Sequence, residues 1–316
     1  MSLLTSPEGF RSGFVSLLGR PNVGKSTLLN QLVGTKLAIV SNKPQTTRNR
    51  IAGIRTEKDC QFIFLDTPGI HKAREQMNRF MVGQAFGALA DADIAVVLLD
   101  AEQAFGGGDA FVVERVREAG IPFIGVLNKI DRLRPDALSR AWEKFLAVVE
   151  GSVEQIAISA LHTSGIHSLL DALRSHLPEG PVYYPEDTVT DRGMKFQISE
   201  LIREQIYAAT HEELPYATAV LIESIEDKGK DHPIVISALI VVESDSQKGI
   251  MIGRKGEMMK KIGVNSRREI EKMLGQKIFL DLRAGVVKDW RKHPDALRRF
   301  GYAGEEMEPS EDPLAD

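Results

Sequence analysis

Several short clusters between positions 19 and 161 combine glycine, lysine, hydroxyl and carboxylate groups at spacings suited to holding a phosphorylated ligand. The first is Gly19-Arg20-Pro21-Asn22-Val23-Gly24-Lys25-Ser26, followed by Thr27, and it fits G-x-x-x-x-G-K-[ST]. Its glycines let the backbone curl around phosphate oxygens with successive N–H groups turned inward. Lys25 would neutralise the β- and γ-phosphate oxygens, and the Ser26 hydroxyl would ligate Mg²⁺. The second cluster, Asp66-Thr67-Pro68-Gly69, offers a carboxylate to hold Mg²⁺ through water and a Gly69 N–H to reach the γ-phosphate. Between the two, the polar segment 36–50 carries Thr46 and Thr47. A threonine there completes the metal shell only when a γ-phosphate is present, which makes the segment a switch, and Thr47 is favoured over Thr46. Lys25, Thr47, Asp66 and Gly69 form the expected catalytic set.

A phosphate loop alone does not choose between adenine and guanine. Asn128-Lys129-Ile130-Asp131 does. A carboxylate only accepts hydrogen bonds, so Asp131 suits the N1–H and 2-amino donors of guanine, whereas adenine would set a lone pair against it. Sites that leave a buried polar group unpaired reject the wrong ligand strongly. The Lys129 stem can lie along the base and Asn128 can brace the loops. Ser159-Ala160-Leu161, after the last apolar run of this half, would give a backbone N–H to guanine O6.

A separate constellation lies near the other end. Gly253-Arg254-Lys255-Gly256 fits the G-x-x-G loop that clamps about four nucleotides of single-stranded nucleic acid. With 27 glycines in 316 residues, about two such matches arise from composition alone. Here both central residues are basic, Ile250-Met251-Ile252 leads in, and Met258, Met259 and Ile262 follow on one helical face. The glycines permit close approach of a phosphate backbone, and Arg254 and Lys255 add charge and donors.

These residues need a scaffold, and the hydrophobic pattern supplies one. Apolar runs at 14–18, 51–55, 62–65, 94–99, 123–127 and 153–158 alternate with helical stretches, the pattern of an α/β unit around a mostly parallel sheet. The clusters follow strand ends, where open α/β sheets bind ligands. Pro178, Gly180, Pro181 and Pro185 interrupt the periodicity. Beyond them an amphipathic helix (Ile198, Leu201, Ile202, Ile206, Ala209), strands at 217–225 and 234–242, a helical stretch through Leu274 and a strand near 277–282 give the order α-β-β-α-α-β of a small α+β domain. The expected boundaries are 12–180 for the nucleotide domain, 181–192 for a linker, 193–290 for the second domain and 291–316 for a tail whose acidic end is disordered.

The net charge of −4 conceals an asymmetry. Residues 248–299 hold 15 Lys and Arg against six Asp and Glu, while residues 301–316 hold six acidic residues and no basic one. A basic block in an acidic chain marks a local polyanion-binding surface. One cysteine, Cys60, excludes an internal disulfide framework, and His162, His167 and His176 have no metal-ligand spacing. No run of about 18 apolar residues spans a membrane, and the start of the chain lacks signal-peptide character. The expected location is cytoplasmic.

The runs at 19–26, Pro44-Gln45-Thr46-Thr47-Arg48, Asp66-Thr67-Pro68-Gly69-Ile70, 247–256 and Lys288-Asp289-Trp290-Arg291 occur in the order that resembles the Era family of bacterial ribosome-assembly GTPases, over residues 12–290. The resemblance implies a Ras-like P-loop GTPase domain joined to a type II KH domain, hydrolysing GTP to GDP and phosphate with Mg²⁺. It also implies binding near the 3′ end of 16S rRNA, a checkpoint in 30S subunit maturation, and a monomer. Peripheral attachment to the inner membrane belongs to the family, although no anchor is visible in this sequence. Ile70 stands where Ras-like proteins carry a water-orienting Gln, so slow intrinsic hydrolysis is expected. In related GTPases an asparagine at the place of Asn22 helps hold a K⁺ ion, and K⁺ dependence follows as an expectation. The rival is an RNA-binding chaperone with a non-hydrolysing nucleotide fold, which Lys25, Ser26, Asp66 and Asp131 oppose.

Overall fold

Val, Ile, Leu and Phe fill most of the apolar runs of the first half, and a Gly or a ligand-type polar residue ends most of them, so five become short, largely buried strands, while the strand at Glu154–Ala157 has no fully buried residue. In the computed structural model, residues 7–41, 43, 46–69, 76–227, 229 and 232–302 are described. The chain falls into two units, with the main division between Asp191 and Arg192.

The first unit contains a six-stranded sheet: β1 (Arg11–Gly19), β2 (Ile51–Thr56), β3 (Cys60–Asp66), β4 (Ile94–Asp100), β5 (Phe123–Asn128) and β6 (Glu154–Ala157). Its order is β2-β3-β1-β4-β5-β6. The β2–β3 pair is antiparallel and the others are parallel. All seven residues of both β3 and β4 are buried, as strands covered on both faces require. Helices α1 (Lys25–Val33), α2 (Gln76–Ala90), α3 (Gly107–Glu118) and α4 (Pro135–Val148) connect strands, and α5 (Ile166–His176) follows β6. Val112, Val113 and Val116 of α3 join Leu18, Val97, Leu99, Phe123, Leu127 and Phe145 in one core. The parallel arrangement brings the ends of β1, β3 and β5 (Gly19, Asp66 and Asn128) to one edge of the sheet. Cys60 is buried at the start of β3.

Of the expected linker, 181–192, residues 181–191 belong to the first unit and are held within it by hydrogen bonds. Ser12 Oγ donates to the Pro181 carbonyl at 2.7 Å. Buried Gln61 accepts from the N–H groups of Tyr183 and Tyr184 at 2.8 and 3.0 Å and donates to the Tyr184 carbonyl at 2.8 Å. Val189 accepts from Ile54 N–H at 2.9 Å, Thr190 Oγ1 donates to Ala52 O at 2.7 Å, and Gly53 bridges to Thr190 in antiparallel fashion. The exposed edge of β2 thus gains a partial seventh neighbour, which the proline signals alone do not reveal.

In the second unit, α6 (Met194–Ala209), β7 (Ala219–Glu226), β8 (Ile234–Val242), α7 (Asp245–Ile252), α8 (Glu257–Leu274) and β9 (Ile278–Val286) reproduce the expected order. The sheet order is β7-β8-β9, antiparallel then parallel, a KH arrangement of type II. Ile198, Ile202 and Ile206 of α6 and Ile262 and Ile270 of α8 recur at helical spacing and close over Ile236 and Ile240 of β8. Met258 and Met259 are half-buried against this core. The expected tail begins later than residue 291. Helix α9 (Pro294–Arg299) follows, and Phe300 and Tyr302 pack on the ring of Trp290, whose indole N–H donates to Ala217 O at 3.0 Å. A buried aromatic anchor so late in the chain extends the domain, because its rings leave water by covering each other. The acidic end, 305–316, lies outside the described residues.

Candidate functional site

The turn between β1 and α1 adopts backbone angles that few residues accept. Gly24 has φ 103° and Gly19 φ 152°. A β-carbon at Gly24 would stand 2.3 Å from Asn128 Nδ2, and one at Gly19 would stand 2.6 Å from the Leu98 carbonyl. The loop therefore needs glycine for room as well as for conformation. The loop opens into a cleft of about 460 Å³ lined by Asn22, Lys25, Thr47, Gly69, Lys129 and Asp131, among others. Pro21, Gly24, Ser26, Thr27, Thr46, Thr67, Asn128, Ala160 and Leu161 also line it. Gly69 lies against Pro21, close enough that a β-carbon would meet it at 2.8 Å. Ile70 lies outside the described residues.

Lys25 is buried, and its ammonium donates to the carbonyls of Gly19 and Arg20 at 3.1 and 3.0 Å. Burial pulls its pKa from 10.5 down to about 8, opposed by the charge of Asp66. Burial conversely pushes the Asp66 carboxyl up, opposed by Lys25 and by hydrogen bonds from Ser26, Thr47 and the Thr67 backbone. Each group is costly to charge alone in this setting, and each supports the other.

The expected metal ligands converge. Ser26 Oγ donates to Asp66 Oδ2 at 2.9 Å, Thr47 Oγ1 donates to the same oxygen at 3.0 Å, and the two hydroxyls are 2.8 Å apart. Adjacent ligands in an octahedral Mg²⁺ shell of 2.0–2.1 Å radius stand about 2.9 Å apart. Oδ1 of Asp66 is buried and has no hydrogen-bond partner among the described residues, so it can accept from a metal-bound water. The donor set, all hard oxygen, fits Mg²⁺. Thr46 is directed elsewhere, donating to Lys43 O at 2.9 Å. At the base of the same loop, Asn30 accepts from the N–H groups of Leu37 and Ala38 at 2.9 Å each and fixes where the segment leaves α1.

The base side is equally ordered. Asn128 accepts from Ala160 N–H at 3.0 Å and donates to the Val23 carbonyl, joining the phosphate loop to 159–161. Asp131 accepts from Ser159 Oγ at 2.5 Å. The Ser159 side chain thus orients the carboxylate, a role its backbone-centred sequence reading omitted. Ile130 begins a single 3₁₀ turn (Ile130–Arg132), and Lys129 before it has φ 66°. Exposed Asn22 has φ 65° at the mouth of the cleft.

Two buried carboxylates not singled out by motif reading also serve the site. Asp109 in the first turn of α3 pairs with Arg20 at 3.0 Å and caps its helix by accepting from Gly106 N–H at 3.0 Å. Asp100 accepts from the Lys129 ammonium at 2.7 Å. The signal for Asp100 was present in the sequence, since it ends the apolar run 94–99 as Asp66 ends the apolar run 62–65.

In the second unit, Gly253 (φ 74°) and Gly256 (φ 81°) flank Arg254 and Lys255, both exposed, and Lys255 has φ 51°. A β-carbon on Gly253 would meet Met258 Cβ at 2.7 Å. Ile250 and Ile252 beside the loop are 56% and 37% exposed, an apolar surface next to a cationic one, while Met251 between them is buried. That pairing suits a phosphate backbone with unstacked bases.

The family described as 50S ribosome-binding GTPase matches residues 14–129, and the KH domain family matches residues 213–291. GTPase Era of Syntrophus aciditrophicus (strain SB) is 47% identical over 293 residues, which cover 93% of this chain and 95% of that protein. GTPase Era of Geotalea uraniireducens (strain Rf4) is 44% identical, with 93% and 98% covered. Among solved structures, a variant of Aquifex aeolicus Era bound to GDP and AlF₄⁻ superposes with a TM-score of 0.89 at 36% identity, covering 93% of this chain and all of that one. Era in complex with MgGDPNP and nucleotides 1506–1542 of 16S ribosomal RNA gives the same TM-score and identity, with 93% and 99% covered.

Proposed function

This chain belongs to the Era family, and from that premise we propose that it is a GTP-hydrolysing switch that binds 16S rRNA through its KH domain during 30S ribosomal subunit biogenesis. The convergence of Ser26, Thr47 and Asp66 oxygens carries the reading, since it joins the phosphate loop, the switch segment and the end of β3 at one point.

Phosphates enter over the N-terminus of α1, where the loop N–H groups and Lys25 meet their oxygens. Mg²⁺, held by Ser26, Thr47 and, through water, Asp66, would neutralise charge on the β- and γ-phosphate oxygens. Asp131, already oriented by Ser159, accepts from the guanine donors, and the 159–161 segment offers N–H to O6. Thr47 and Gly69 report whether a γ-phosphate is present. Loss of that phosphate releases the switch segment. Gly253, Arg254, Lys255 and Gly256 clamp the RNA strand, and RNA and GTP bias each other reciprocally if both act on one equilibrium.

Asn22 at the cleft mouth would help hold a K⁺ ion, which would supply charge where Ile70 supplies none. No helix among the described residues is long and apolar enough to cross a membrane. A cytoplasmic monomer with peripheral membrane attachment rests on the family resemblance. The test is phosphate release from GTP in K⁺ and in Na⁺ buffer, with and without a single-stranded RNA ending in the 16S 3′ sequence. Mg²⁺-dependent release that RNA accelerates is expected. Release no faster than from a Lys25→Ala variant would sink the enzyme reading, and equal rates in K⁺ and Na⁺ would remove the K⁺ site.

A further inference from the structure

Asp100 is 3% exposed and closes β4 directly opposite Asn128 of β5. Its carboxylate is held at both oxygens. Oδ1 accepts from Glu102 N–H at 3.0 Å, and Oδ2 accepts from Gln103 Nε2 at 3.0 Å and from Lys129 Nζ at 2.7 Å. Lys129 is thereby fixed at both ends, at its Cα by the left-handed turn with φ 66° and at its ammonium by Asp100. Glu102, Gln103 and Lys129 all line the nucleotide cleft.

An untethered lysine is rich in rotamer entropy, and freezing it against a ligand costs affinity. Tethering at the ammonium removes that cost before the ligand arrives and presents the four methylenes as a fixed apolar shelf. We propose that Asp100 is a positioning residue for nucleotide binding, holding Lys129 stretched so that its stem forms a preformed platform for the purine face. The inference rests on the guanine-nucleotide reading of the cleft and deepens it. A shelf touches the ring face and not the exocyclic groups, so it sets affinity for the purine without reading its identity. Identity is left to Asp131.

The experiment compares wild type, Asp100→Asn and Lys129→Met, titrating each full-length protein with GDP and with inosine diphosphate, which lacks the 2-amino group. Asp100→Asn keeps the shape but turns an N–H₂ or a neutral oxygen toward the ammonium. Lys129→Met keeps an apolar stem of similar length, leaves Asp100 in place and removes the tether. Each variant is expected to bind GDP and inosine diphosphate more weakly by one common factor, about tenfold, with the GDP-to-inosine ratio as in wild type. Adding Asp100→Asn to Lys129→Met is expected to cause no further loss. Wild-type affinity in Lys129→Met would overturn the proposal even if Asp100→Asn failed to fold. So would a loss confined to GDP, or a second loss of equal size in the double variant. A wild-type protein that bound neither nucleotide would instead overturn the guanine-nucleotide reading together with this one.

Discussion

Asn128 Nδ2 donates to the Val23 carbonyl at 2.8 Å, a contact between residues 105 positions apart in the chain. It is buried, and it ties the phosphate loop to the strand end that carries the base-reading residues. Because the other amide atom of Asn128 serves Ala160, one side chain sets the distance between the phosphate and base halves of the cleft.

Replacing Asn128 by Ala strips two buried backbone groups of their partner, at about 1–3 kcal/mol for each. A fall in melting temperature and at least tenfold weaker GDP binding are expected from thermal denaturation and titration. Gly24→Ala should reproduce both effects, since its β-carbon lands on the same Nδ2.

The depressed pKa of Lys25, about 8, makes nucleotide affinity depend on pH. Below pH 8 the ammonium is charged and affinity is full. Above it the free protein must take up a proton to bind, and affinity falls about tenfold per pH unit. Stability of the nucleotide-free protein moves the other way. Between about 8 and 10.5 the unfolded chain holds this proton and the folded one does not, so the lysine contributes increasing stability as pH rises. A Lys25→Arg variant, charged throughout, should give a flat affinity profile over pH 7 to 9.5, and a slope as steep as wild type would refute the assignment.

Thr46 and Thr47 are neighbours with different duties. Thr47→Ala removes an oxygen beside Asp66 and is expected to cut Mg²⁺-dependent GTP hydrolysis about a hundredfold while GDP binds almost as before. Thr46→Ala loses a bond to the Lys43 carbonyl rather than one to Asp66, and should stay within a few-fold of wild type. A magnesium titration of turnover distinguishes them, and equal losses would mean that both hydroxyls serve the metal.

For the RNA loop, the informative variant is the double substitution Arg254→Asp, Lys255→Asp. Both side chains are exposed, and aspartate tolerates the left-handed angle at 255. Losing two phosphate contacts should flatten the salt dependence of single-strand binding by about 1.4 in log–log slope, with GTP affinity unchanged. A Gly253→Asp variant would be harder to interpret because its side chain strikes Met258.

The sequence exposed the site well where chemistry demands a residue type at a fixed place. Strand ends at Gly19, Asp66 and Asn128 are of this kind, because a buried parallel strand is apolar along its length and polar only where it meets the ligand. The α-β-β-α-α-β order was legible for a similar reason, since isoleucines at helical spacing on α6 and alternation on β8 each report one buried face. What escaped were second partners. Asp100 and Asp109 serve residues that are distant in sequence or follow a loop, and no local spacing encodes such a pairing. Trp290 was marked only by family resemblance, and its partners, Phe300 and Tyr302, lie in the stretch expected to be a tail. The path of residues 181–191 was hidden by its own prolines, which announce a break in periodicity but not the strand edge against which the segment lies.

That path has a consequence for how the protein is made. All the nucleotide-site residues precede Gly180, yet Gln61 meets its backbone partners only at Tyr183 and Tyr184, and β2 meets its outer neighbour only at Val189 and Thr190. During synthesis the outer edge of β2 is covered only after residues 189–190 have emerged, by which point translation of the RNA-binding half has begun. A fragment cut at Gly180 would keep every nucleotide-binding group while leaving the buried Gln61 Oε1 without its two backbone donors and a strand edge open to pairing with another chain. A fragment ending at Asp191 would keep both sets of contacts.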